Sequence, residues 1–405
     1  MSKPFLPYGK QAISDADIEA VTQALRGDYL TTGPKVAEFE KAFAERVGAK
    51  EAVVCANGTA ALHLAAMALG LGKGDIVLAP SMSFLASANG PHFTGAAIEF
   101  MDCDPDRGLV RPQDFADALA RAQGRDVGQV RAAVVVHLNG EYADMDAIAA
   151  LARENNISLI EDACHAVGTR FATAENGMVE VGSCFHGDLA CFSLHPVKTI
   201  TMGEGGVVTT NNREWAAAMR KDRSHGMTRE PGEFTNAELA FDEAGEANPW
   251  YYEMAAPGYN YRATDFACAL GLSQLAQFDG FLERRKALKA RYDRLFAEAE
   301  LPLITVATSQ SCDPCRHLYP VLINFEVAGK SRARVVAELR EEGIGTQVHY
   351  IPIHRQPYYR TLNPTLELPG ADAYYARALS LPLYAQMEDA DADRVVEALG
   401  KVLRD

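Results

Sequence analysis

The sequence predicts an α/β fold in which a large domain, built on a mostly parallel seven-stranded sheet between helices, precedes a smaller C-terminal α+β domain. Between residues 14 and 211, short apolar runs alternate with helical patterns, which is typical of parallel strands joined by helices. After Asn211 this alternation ends, and a loop rich in Glu, Gly, Pro and aromatic residues leads into a long helical pattern. The change of pattern indicates a second structural unit.

Seven apolar runs are the candidate strands of the large domain. They are short and rich in Ala, Val, Ile and Leu, as expected for parallel strands that are buried on both faces. The runs are AVVC (52–55), DIVLAP (75–80), AIEFMD (97–102), AAVVVHL (132–138), ISLIED (157–162), LACFSL (189–194) and GVVTT (206–210).

Helical patterns precede these strands and lie between them. Ser14 is placed to cap the first helix and Gly27 to end it. A second helix is predicted from about Val36 to Val47, where Gly48 stops it. Further helical stretches are predicted at 60–69, 113–121 and 145–154.

The second part of the chain begins with a predicted long loop over residues 228–257, whose length and composition suggest a functional role. A long helical pattern follows from about Thr264 to Glu298. Strand-like stretches lie at 317–325 and 346–350, and a helix capped by Ser331 is predicted between them.

The length of 405 residues corresponds to two to three domains at roughly 150 residues each. We place the domain boundary at residue 260, between the long loop and the long helical pattern. We therefore expect a large domain with an N-terminal arm, residues 1–260, and a small C-terminal α+β domain, residues 261–405, entered by the long helix. The sequence contains neither an internal repeat nor a low-complexity tract.

The charge balance excludes several classes of protein. The chain has 39 basic and 54 acidic residues, a net charge of −15 with neutral histidines, and such a surface repels phosphate backbones and anionic lipids. We therefore expect neither nucleic acid nor a membrane as partner. The first residues, MSKPFLPYGKQ, lack the apolar core of a signal peptide. The eight cysteines are scattered as in reduced proteins, so a cytoplasmic location is expected.

Cys312 and Cys315 have the spacing of a metal-binding or redox pair. Two cysteines alone do not complete a zinc site, and no second pair follows them in the sequence. A plain loop is therefore the preferred interpretation, and we predict no metal site in this protein.

The first motif with chemical potential, Asn57-Gly58-Thr59, lies between a predicted strand and the helix that follows it. A helix N-terminus presents free backbone N–H groups and the positive end of the helix dipole, so it suits a phosphate group. The same residues also suit a simple N-cap turn. This motif alone leaves both interpretations open.

Asp162 ends the predicted strand ISLIED. Ligands of parallel sheets bind beyond the carboxyl ends of the strands, and a carboxylate buried there needs a cationic partner. Capping of the following turn is the alternative role. The neighbouring Glu161 points to the opposite face of the sheet and is the weaker candidate.

Lys198 lies in a nearly uncharged stretch, FSLHPVKTITMG, directly after a predicted strand. Desolvation lowers the pKa of a lysine, and the free amine can then form a Schiff base. Gly203, Gly205 and Gly206 allow the backbone to turn close to a ligand. A lysine in a surface loop is the alternative, which the apolar flanking residues disfavour.

A phosphate site, a strand-end acid and a desolvated lysine together meet the needs of pyridoxal 5′-phosphate. This cofactor requires an anion site, a carboxylate for its pyridine nitrogen and an amine to hold its aldehyde. Ser193 precedes Lys198 by five residues and is placed to add a hydroxyl group to the phosphate site. Phe84 follows another strand end and is a candidate to stack on the cofactor ring.

Long motifs spread over almost the whole chain support this interpretation: LTTGPKVAEFEKAFAERVGAK, NGTAALHLA, EDACHAVG, FSLHPVKTITMGEGGVVTTN, RSHGM, GYNYRATDFACALGLSQL and VHYIPIH. They resemble the DegT–StrS family of sugar aminotransferases, which share the fold-type I architecture of pyridoxal-phosphate-dependent transferases. The resemblance implies that fold, pyridoxal 5′-phosphate as cofactor, and a nucleotide-linked keto sugar and L-glutamate as substrates.

The resemblance also implies roles for single residues near the reacting end of the cofactor. Lys198 would be the catalytic lysine that holds the aldehyde, Asp162 would face the pyridine nitrogen, and His165 would lie near the phenolic oxygen. A subset of the family has histidine in place of the lysine and acts as dehydrases. Because Lys198 is present here, the aminotransferase branch is favoured.

The remaining cofactor contacts implied by the resemblance concern the phosphate and the ring face. Gly58, Thr59 and Ser193 would hold the phosphate, and Phe84 would stack on the ring. Asn260, in GYNYR, would reach the phosphate of the cofactor in the partner subunit. That contact implies a homodimer with shared active sites.

Within the family, FSLHPVKTIT, RSHGMTRE, NPWYYEM and ALGLSQL are most similar to the C4 aminotransferases of pseudaminic acid biosynthesis. These enzymes convert a UDP-linked 4-keto-6-deoxy-N-acetylhexosamine to UDP-4-amino-4,6-dideoxy-N-acetyl-altrosamine, usually with L-glutamate as donor. The alternative is an enzyme for GDP-perosamine or for another UDP- or dTDP-linked amino sugar. Two segments, 171–188 and 255–257, depart from the family's pattern and are placed to shape the sugar pocket.

Two other function classes fit the sequence less well. A dehydrogenase needs G-x-G-x-x-G at the start of a helix, whereas residues 203–206 are GEGG before a strand. The other class is a regulator that binds the cofactor without catalytic turnover; no helix-turn-helix pattern or basic face is evident in the sequence, and the net charge of −15 opposes a DNA partner. His225, Tyr252 and His354 are candidate sugar contacts, with packed aromatic rings and hydrogen-bonded histidines as the alternative.

Overall fold

The computed structural model describes residues 4–124 and 128–404 of the protein. The helices in these ranges are α1 (Asp15–Arg26), α2 (Pro34–Val47), α3 (Gly58–Ala68), α4 (Ala86–His92), α5 (Pro112–Gln123), α6 (Met145–Glu154), α7 (Arg213–Asp222), α8 (Ala237–Ala240), α9 (Asp265–Ala276), α10 (Phe278–Glu298), α11 (Arg332–Glu341), α12 (Pro357–Leu362), α13 (Pro369–Arg377) and α14 (Asp389–Arg404).

The strands in the described ranges are β1 (Glu51–Cys55), β2 (Asp75–Pro80), β3 (Ala97–Met101), β4 (Gln129–Val136), β5 (Ser158–Asp162), β6 (Arg170–Thr173), β7 (Gly177–Glu180), β8 (Leu189–Ser193), β9 (Gly206–Thr210), β10 (Met227–Thr228), β11 (Glu253–Met254), β12 (Leu303–Thr305), β13 (Cys312–Asp313), β14 (Tyr319–Ile323) and β15 (Ala378–Leu381).

A mostly parallel seven-stranded sheet is the centre of the fold, as predicted. Within the described residues its strand order is β1-β9-β8-β5-β4-β2-β3, and its members correspond to the seven apolar runs. Only β9 runs against its neighbours, β1 and β8. The carboxyl ends of β1, β5 and β8 therefore meet at one edge of the sheet.

Helices cover both faces of this sheet, because successive strand residues point to opposite sides. On β4, Ala133 and Val135 belong to one apolar cluster, which also contains side chains of α2, α5 and α6. Val134, between them, belongs to the other cluster, with side chains of α3 and α4. The strands are thus buried on both faces, which explains their continuous apolar character.

The predicted ends of the early helices are confirmed by their caps. The Ser14 hydroxyl accepts a hydrogen bond from the Asp17 amide at 3.2 Å at the start of α1, and Gly27 is the C-cap residue. At the end of α2, Gly48 takes the left-handed conformation with φ of 76°, which glycine adopts without steric cost.

A third apolar cluster lies in the C-terminal part of the chain. Strands β12, β14 and β15 form an antiparallel sheet, and α10, α11 and α14 contribute side chains to its core. The N-terminal arm also reaches this cluster, since the Leu6 amide donates to the Gly343 carbonyl at 2.9 Å. The smaller C-terminal sheet was predicted, and the domain boundary at residue 260 stays a prediction.

Two sequence-based expectations differ in detail from the structure. The helical pattern from Thr264 to Glu298 is divided at Gln277 into α9 and α10, and the Gln277 side chain donates to Asp17 at 3.0 Å. The strand-like stretch 346–350 makes only one bridge, from Gln347 to Ser380. The residues after that bridge leave the sheet and line a cavity.

The two segments that depart from the family's pattern lie outside the central sheet. Residues 171–188 contain part of the β6–β7 hairpin, to which β13 adds a third strand. Residues 255–257 are exposed and directly follow β11, at the end of a largely exposed excursion over residues 228–257 that also carries α8. Strand β11 pairs with β10. Within the part of the chain that the structure describes, no helix has the length and apolar character needed to span a bilayer.

Candidate active site

A cavity of about 700 Å³ opens at the carboxyl edge of the central sheet, where ligands of α/β proteins bind. Its volume is within the range of small-molecule sites, roughly 300–1,000 Å³. Of the residues singled out from the sequence, seven line this cavity: Gly58, Thr59, Phe84, Asp162, His165, Ser193 and Lys198.

Asn260, the remaining predicted site residue, is not among the residues that line the cavity. It is exposed and forms a bridge with Ser224. The structure of one chain thus assembles every predicted cofactor contact except the one that was expected to act on a partner subunit.

The first group of lining residues, which we call the strand-end wall, consists of Gly58, Thr59, Asp162, Ser193 and Lys198. At the start of α3, Asn57 caps the helix by accepting a hydrogen bond from the Ala60 amide at 2.9 Å. The amides of Gly58 and Thr59 have no acceptor among the described residues. Free N–H groups at a helix N-terminus favour binding of an anion. The motif therefore caps the helix and also leaves two amides available for a phosphate group, so the two interpretations do not exclude each other.

Two glycines allow the helix terminus to approach the neighbouring strands. A Cβ atom on Gly58 would lie 2.9 Å from the Cβ atom of Ser193, and one on Gly206 would lie 2.2 Å from the Asn57 carbonyl oxygen. Because no larger residue fits at either position, the amides at the start of α3 and the Ser193 hydroxyl can face the same volume. Together they form a cradle for a phosphate-sized anion.

Asp162 is the last residue of β5 and is buried. Its carboxylate accepts hydrogen bonds from the Ser87 hydroxyl at 2.5 Å and from the Cys164 amide at 3.2 Å, and the Ser83 hydroxyl lies 2.6 Å from that of Ser87. Within the described ranges, no cationic side chain forms an ion pair with Asp162. A buried carboxylate held in this way is suited to a positively charged ring nitrogen.

Lys198 lies on the loop that joins the antiparallel strands β8 and β9. The loop is closed at its base by two hydrogen bonds of Leu194, whose amide donates to the Gly205 carbonyl at 2.8 Å and whose carbonyl accepts from the Met202 amide at 2.9 Å. The Lys198 amide donates to the His195 carbonyl at 2.9 Å. These bonds hold the lysine at the cavity wall.

Burial lowers the pKa of Lys198, and the nearby Asp162 carboxylate opposes part of that shift. Among residues 4–124 and 128–404, no carboxylate lies within ion-pair distance of its amine. A lysine with a lowered pKa and a free amine has the properties of a nucleophile toward an aldehyde.

The second group, which we call the imidazole wall, consists of His165, His317, His349 and Tyr350. The His165 ring lies 4.5 Å from that of His317, and its Nε2 atom lies 3.0 Å from the Tyr350 hydroxyl. His349 Nδ1 lies 2.9 Å from the Ser380 hydroxyl. The wall therefore combines residues from the loop after β5 with residues from the C-terminal third of the chain.

Burial keeps all three imidazoles neutral. It lowers the pKa of His165 and His317 well below the ordinary value, and the charge of Lys198 adds to both shifts. The pKa of His349 falls to about 3 for the same two reasons. The imidazole wall thus offers hydrogen bonds without adding positive charge beside the lysine.

Sequence reasoning did not single out His317, His349 or Tyr350. His349 and Tyr350 belong to the motif VHYIPIH, so a signal existed for them, whereas His317 lies in a stretch that looks like an ordinary strand. The buried Glu161 points away from the cavity, as predicted. It accepts from the Gly187 amide at 2.9 Å and pairs with His137 at 2.8 Å.

The three candidate sugar contacts do not line the cavity of this chain. His225 and Tyr252 are exposed, and the Arg229 guanidinium lies 6.0 Å from the Tyr252 ring centre. His354 is buried, and its Nδ1 atom lies 2.6 Å from the Ser81 hydroxyl, so it matches the alternative of a hydrogen-bonded structural histidine.

The cysteine pair with metal-like spacing lies away from the cavity. Cys312 is part of β13, and Cys315 is buried, with its amide donating to the Thr169 hydroxyl at 3.0 Å. Burial raises the pKa of both thiols. In the ranges that the structure describes, no cluster of three or more His, Cys, Asp or Glu side chains has the arrangement of a metal site.

Comparison with known proteins assigns the family. Residues 11–400 match the DegT/DnrJ/EryC1/StrS aminotransferase family, which is nearly the whole chain. The chain belongs to this family. The resemblance seen in the sequence motifs is therefore confirmed.

Relatives that are similar to this chain include two at 36% identity. One is the spore coat polysaccharide biosynthesis protein SpsC of Bacillus subtilis (strain 168), matched over 404 residues that cover 99% of this chain and 97% of the relative. The other is the UDP-4-amino-4,6-dideoxy-N-acetyl-beta-L-altrosamine transaminase of Campylobacter jejuni subsp. jejuni serotype O:23/36 (strain 81-176), matched over 398 residues that cover 98% and 97%.

A solved structure of the same fold identifies the cofactor class. The PLP-form of the putative sugar aminotransferase Spr1654 from Streptococcus pneumoniae matches with a TM-score of 0.84 and 25% identity, covering 98% of each chain. The protein is thus a pyridoxal-phosphate-dependent nucleotide-sugar aminotransferase with the fold-type I architecture. The donor set of the strand-end wall fits this cofactor, since it offers an anion cradle, a lysine of lowered pKa and a buried carboxylate that has no ion-pair partner among the described residues.

Proposed function

We propose that this protein transfers an amino group from L-glutamate to C4 of a UDP-linked 4-keto-6-deoxy-N-acetylhexosamine. The product would be UDP-4-amino-4,6-dideoxy-N-acetyl-altrosamine, an intermediate of pseudaminic acid biosynthesis. The observation that carries the amino-transfer part is the arrangement of the cavity, in which Lys198, Asp162 and the N-terminus of α3 share one volume.

The strand-end wall would hold pyridoxal 5′-phosphate. Gly58, Thr59 and Ser193 would bind its phosphate, and Asp162 would pair with its ring nitrogen. Phe84, which is half-exposed at the cavity rim, would stack on its ring. When bound, the cofactor supplies an electron sink for the carbanion that forms at the reacting carbon.

Lys198 would carry out the proton transfers. Its amine would accept the proton from the α-carbon of glutamate and would later deliver a proton to C4 of the sugar. Burial supports this role because a lowered lysine pKa leaves more of the free amine at neutral pH. The neutral imidazole wall would exclude water from this amine without competing for its proton.

We further propose a homodimer with shared active sites. Asn260 is exposed and lies outside the cavity of its own chain, so it is available to a second copy. The described residues that line the cavity include no arginine, although a phosphate and two carboxylates must be bound during the reaction. A partner subunit would supply the missing polar and cationic contacts.

The sugar assignment has support from the 36% identity with the altrosamine transaminase over 98% of this chain. The identity with SpsC is equally high, so identity alone does not select the sugar. The alternative function is an enzyme for GDP-perosamine or for another UDP- or dTDP-linked amino sugar. The amino-transfer chemistry proposed for Lys198 would be the same for each of these substrates.

The test is a product assay with the purified protein, pyridoxal phosphate and L-glutamate. A panel of UDP-, GDP- and dTDP-linked 4-keto-6-deoxy sugars would be supplied, and mass spectrometry would identify the aminated nucleotide sugar. We expect amination of the UDP-N-acetyl sugar alone, with 2-oxoglutarate formed in equal amount.

Amination of a GDP-linked sugar would retain the mechanism and replace the proposed substrate. A protein that binds the cofactor but aminates none of the sugars would contradict the proposed function. The variant Lys198→Ala is the matched control, because it removes the amine and leaves the phosphate cradle and Asp162 in place.

A further inference from the structure

We propose that His137 and Glu161 are positioning residues, which hold the end of β5 from the face of the sheet opposite the cavity and so fix the place of Asp162. The inference rests on the proposed function in one respect, the pairing of Asp162 with the ring nitrogen of pyridoxal phosphate. Neither His137 nor Glu161 lines the cavity, so both would act through Asp162 and not through contact with cofactor or substrate.

Two successive carboxylates at the end of β5 point to opposite faces of the sheet. Asp162 lines the cavity, whereas Glu161 lies on the other face and is only 2% exposed. Among the described residues, neither a lysine nor an arginine pairs with Glu161. Burial of a carboxylate without a cation costs free energy, which an apolar residue of similar size would not. Packing alone therefore does not explain an acid at this position.

Hydrogen bonds hold the Glu161 carboxylate at both of its oxygen atoms. Oε1 accepts from the Gly187 amide at 2.9 Å, and Oε2 lies 2.8 Å from His137 Nε2. The Ala143 amide lies 3.4 Å from His137 Nδ1. Because a backbone amide can only donate, Nδ1 is an acceptor and the ring proton resides on Nε2. His137 therefore donates to Glu161.

His137 also holds the end of β5 through its main chain. It follows the last residue of β4, and its backbone amide donates to the Asp162 carbonyl at 3.1 Å. Its side chain binds Glu161 and its main chain binds Asp162, so one residue restrains both members of the acidic pair. On the opposite side of β5, Asp162 is paired with Cys191 of β8.

The Glu161 side chain is further restrained by its close contact with Gly187. A Cβ atom at this glycine would lie 2.6 Å from Glu161 Oε1 and 2.8 Å from its Cγ atom, so only glycine lets the amide approach the carboxylate. The segment is anchored to β5 as well, since the Asp188 amide donates to the Leu159 carbonyl at 2.9 Å. Rotation of the Glu161 side chain would break its bonds to Gly187 and His137 together.

The pairing of Asp162 with a ring nitrogen requires a carboxylate that is fixed in place. The Ser87 hydroxyl and the Cys164 amide orient this carboxylate from the cavity side, whereas His137 and Glu161 hold the strand end that carries it. A misplacement of about 1 Å can lower a rate by about 10²-fold, even when its cause lies outside the site. Loss of the bond between His137 and Glu161 should therefore weaken both cofactor binding and turnover.

The test compares two substitutions of His137 in the full-length protein. In His137→Gln the amide nitrogen can replace Nε2 as donor to Glu161, so the dissociation constant of pyridoxal phosphate and kcat should stay within about twofold. His137→Leu cannot donate. We expect its dissociation constant to rise and its kcat to fall by about tenfold each, with the KM for the sugar nucleotide unchanged, because Asp162 would contact the cofactor and not the sugar.

Hydrogen–deuterium exchange of the cofactor-free protein gives a measurement that is independent of catalysis. The Ala163 amide donates to the Cys191 carbonyl at 2.9 Å, directly after Asp162. If the end of β5 is held by the bond between His137 and Glu161, this amide should exchange faster in His137→Leu than in His137→Gln and the unmodified protein.

Tyr142→Phe is the control for a loss of stability alone. The Tyr142 ring lies 4.5 Å from that of His137, but its hydroxyl contacts His186 Nδ1 at 2.9 Å. This variant should unfold at a lower temperature and bind the cofactor normally. If His137→Leu does not fold, the double variant His137→Leu/Glu161→Leu replaces it, because removal of both hydrogen-bonding partners is nearly neutral for stability. It should show the same loss of cofactor affinity.

The inference is overturned if folded His137→Leu, or the double variant, binds pyridoxal phosphate and turns over like the unmodified protein. It is also overturned if His137→Gln loses as much affinity as His137→Leu, since the donor to Glu161 would then not be the cause. A protein whose variants differ as expected in cofactor affinity and amide exchange, but which aminates no sugar, would contradict the proposed substrate reaction and support this inference.

Discussion

The two walls of the cavity carry opposite kinds of polar group. The strand-end wall holds two ionisable side chains, Asp162 at the end of β5 and Lys198 on the loop after β8. The imidazole wall holds neutral groups, and its hydrogen bond between His165 and Tyr350 joins residues that are 185 positions apart. One wall is therefore built by local chain geometry and the other by long-range packing.

This difference explains how one cavity can keep a reactive lysine. A protonated imidazole beside Lys198 would add a second buried cation, which costs far more than a neutral hydrogen-bonding ring. Because the three imidazoles stay neutral, the reactive charges are confined to the strand-end wall. Substitutions in the strand-end wall should therefore abolish chemistry, and those in the imidazole wall should adjust it.

The largest effect is expected from replacing Lys198. Both Lys198→Ala and Lys198→Arg should lower turnover by at least about 10⁴-fold, since they remove the amine that holds the aldehyde and moves the proton. The measurement is 2-oxoglutarate formation with the preferred sugar nucleotide. Both variants should fold, because the lysine makes no ion pair with the described residues. Near-normal turnover of either variant would refute the role of Lys198.

A smaller but still large loss is expected for Asp162→Asn. The amide retains polar contacts with Ser87 and the Cys164 amide but cannot neutralise a protonated ring nitrogen, so turnover should fall by about 10²- to 10³-fold. Cofactor release into a desalting column and thermal unfolding would be measured alongside. Ser87→Ala is the control, because it removes one hydrogen bond to the carboxylate and leaves its charge. A variant Asp162→Asn as active as Ser87→Ala would contradict the charge argument.

The contrast between the walls also shows which site residues can be predicted from the sequence and which cannot. The strand-end wall was predicted because each of its residues follows a recognisable apolar run, and parallel strands bring their carboxyl ends together. His317 was missed because it precedes a strand of the second sheet, and only the packing of that sheet turns its ring toward Lys198. The division of the long helix at Gln277 was missed for the same reason, since the contact with Asp17 is distant in sequence.

A third prediction concerns acid stability and uses the imidazole wall as a whole. The pKa of each buried imidazole is lower in the folded protein than in the unfolded chain, so below pH 6.5 the unfolded chain binds more protons. Stability should be fully present above that pH and should fall as the pH decreases. At pH 5 each imidazole should cost about 2 kcal/mol.

The measurement is the unfolding temperature of the cofactor-free protein between pH 7.5 and pH 5. In His349→Asn the amide retains Ser380 as a hydrogen-bond partner. The decrease in unfolding temperature on acidification should be smaller in this variant, by the part that protonation of one imidazole contributes. His186→Asn is the control, because His186 pairs with Asp146 outside the cavity. If His349→Asn loses as much stability as the unmodified protein, protonation of His349 does not contribute.

The smallest effect is expected at His317, and it separates shape from polarity in the imidazole wall. His317 is buried, and its Nδ1 atom has no hydrogen-bond partner among the described residues, so the folded protein gains no hydrogen bond at this atom. His317→Leu should therefore leave the unfolding temperature unchanged or raise it, because removal of an unpaired buried polar atom is neutral or stabilising. If the ring contacts a ligand instead, kcat/KM should fall by about tenfold.

His354→Leu provides the comparison, since it breaks the 2.6 Å contact with Ser81 and should lower the free energy of unfolding by about 1 kcal/mol. Equal destabilisation of the two variants would contradict this prediction and show that the polar His317 ring contributes to stability.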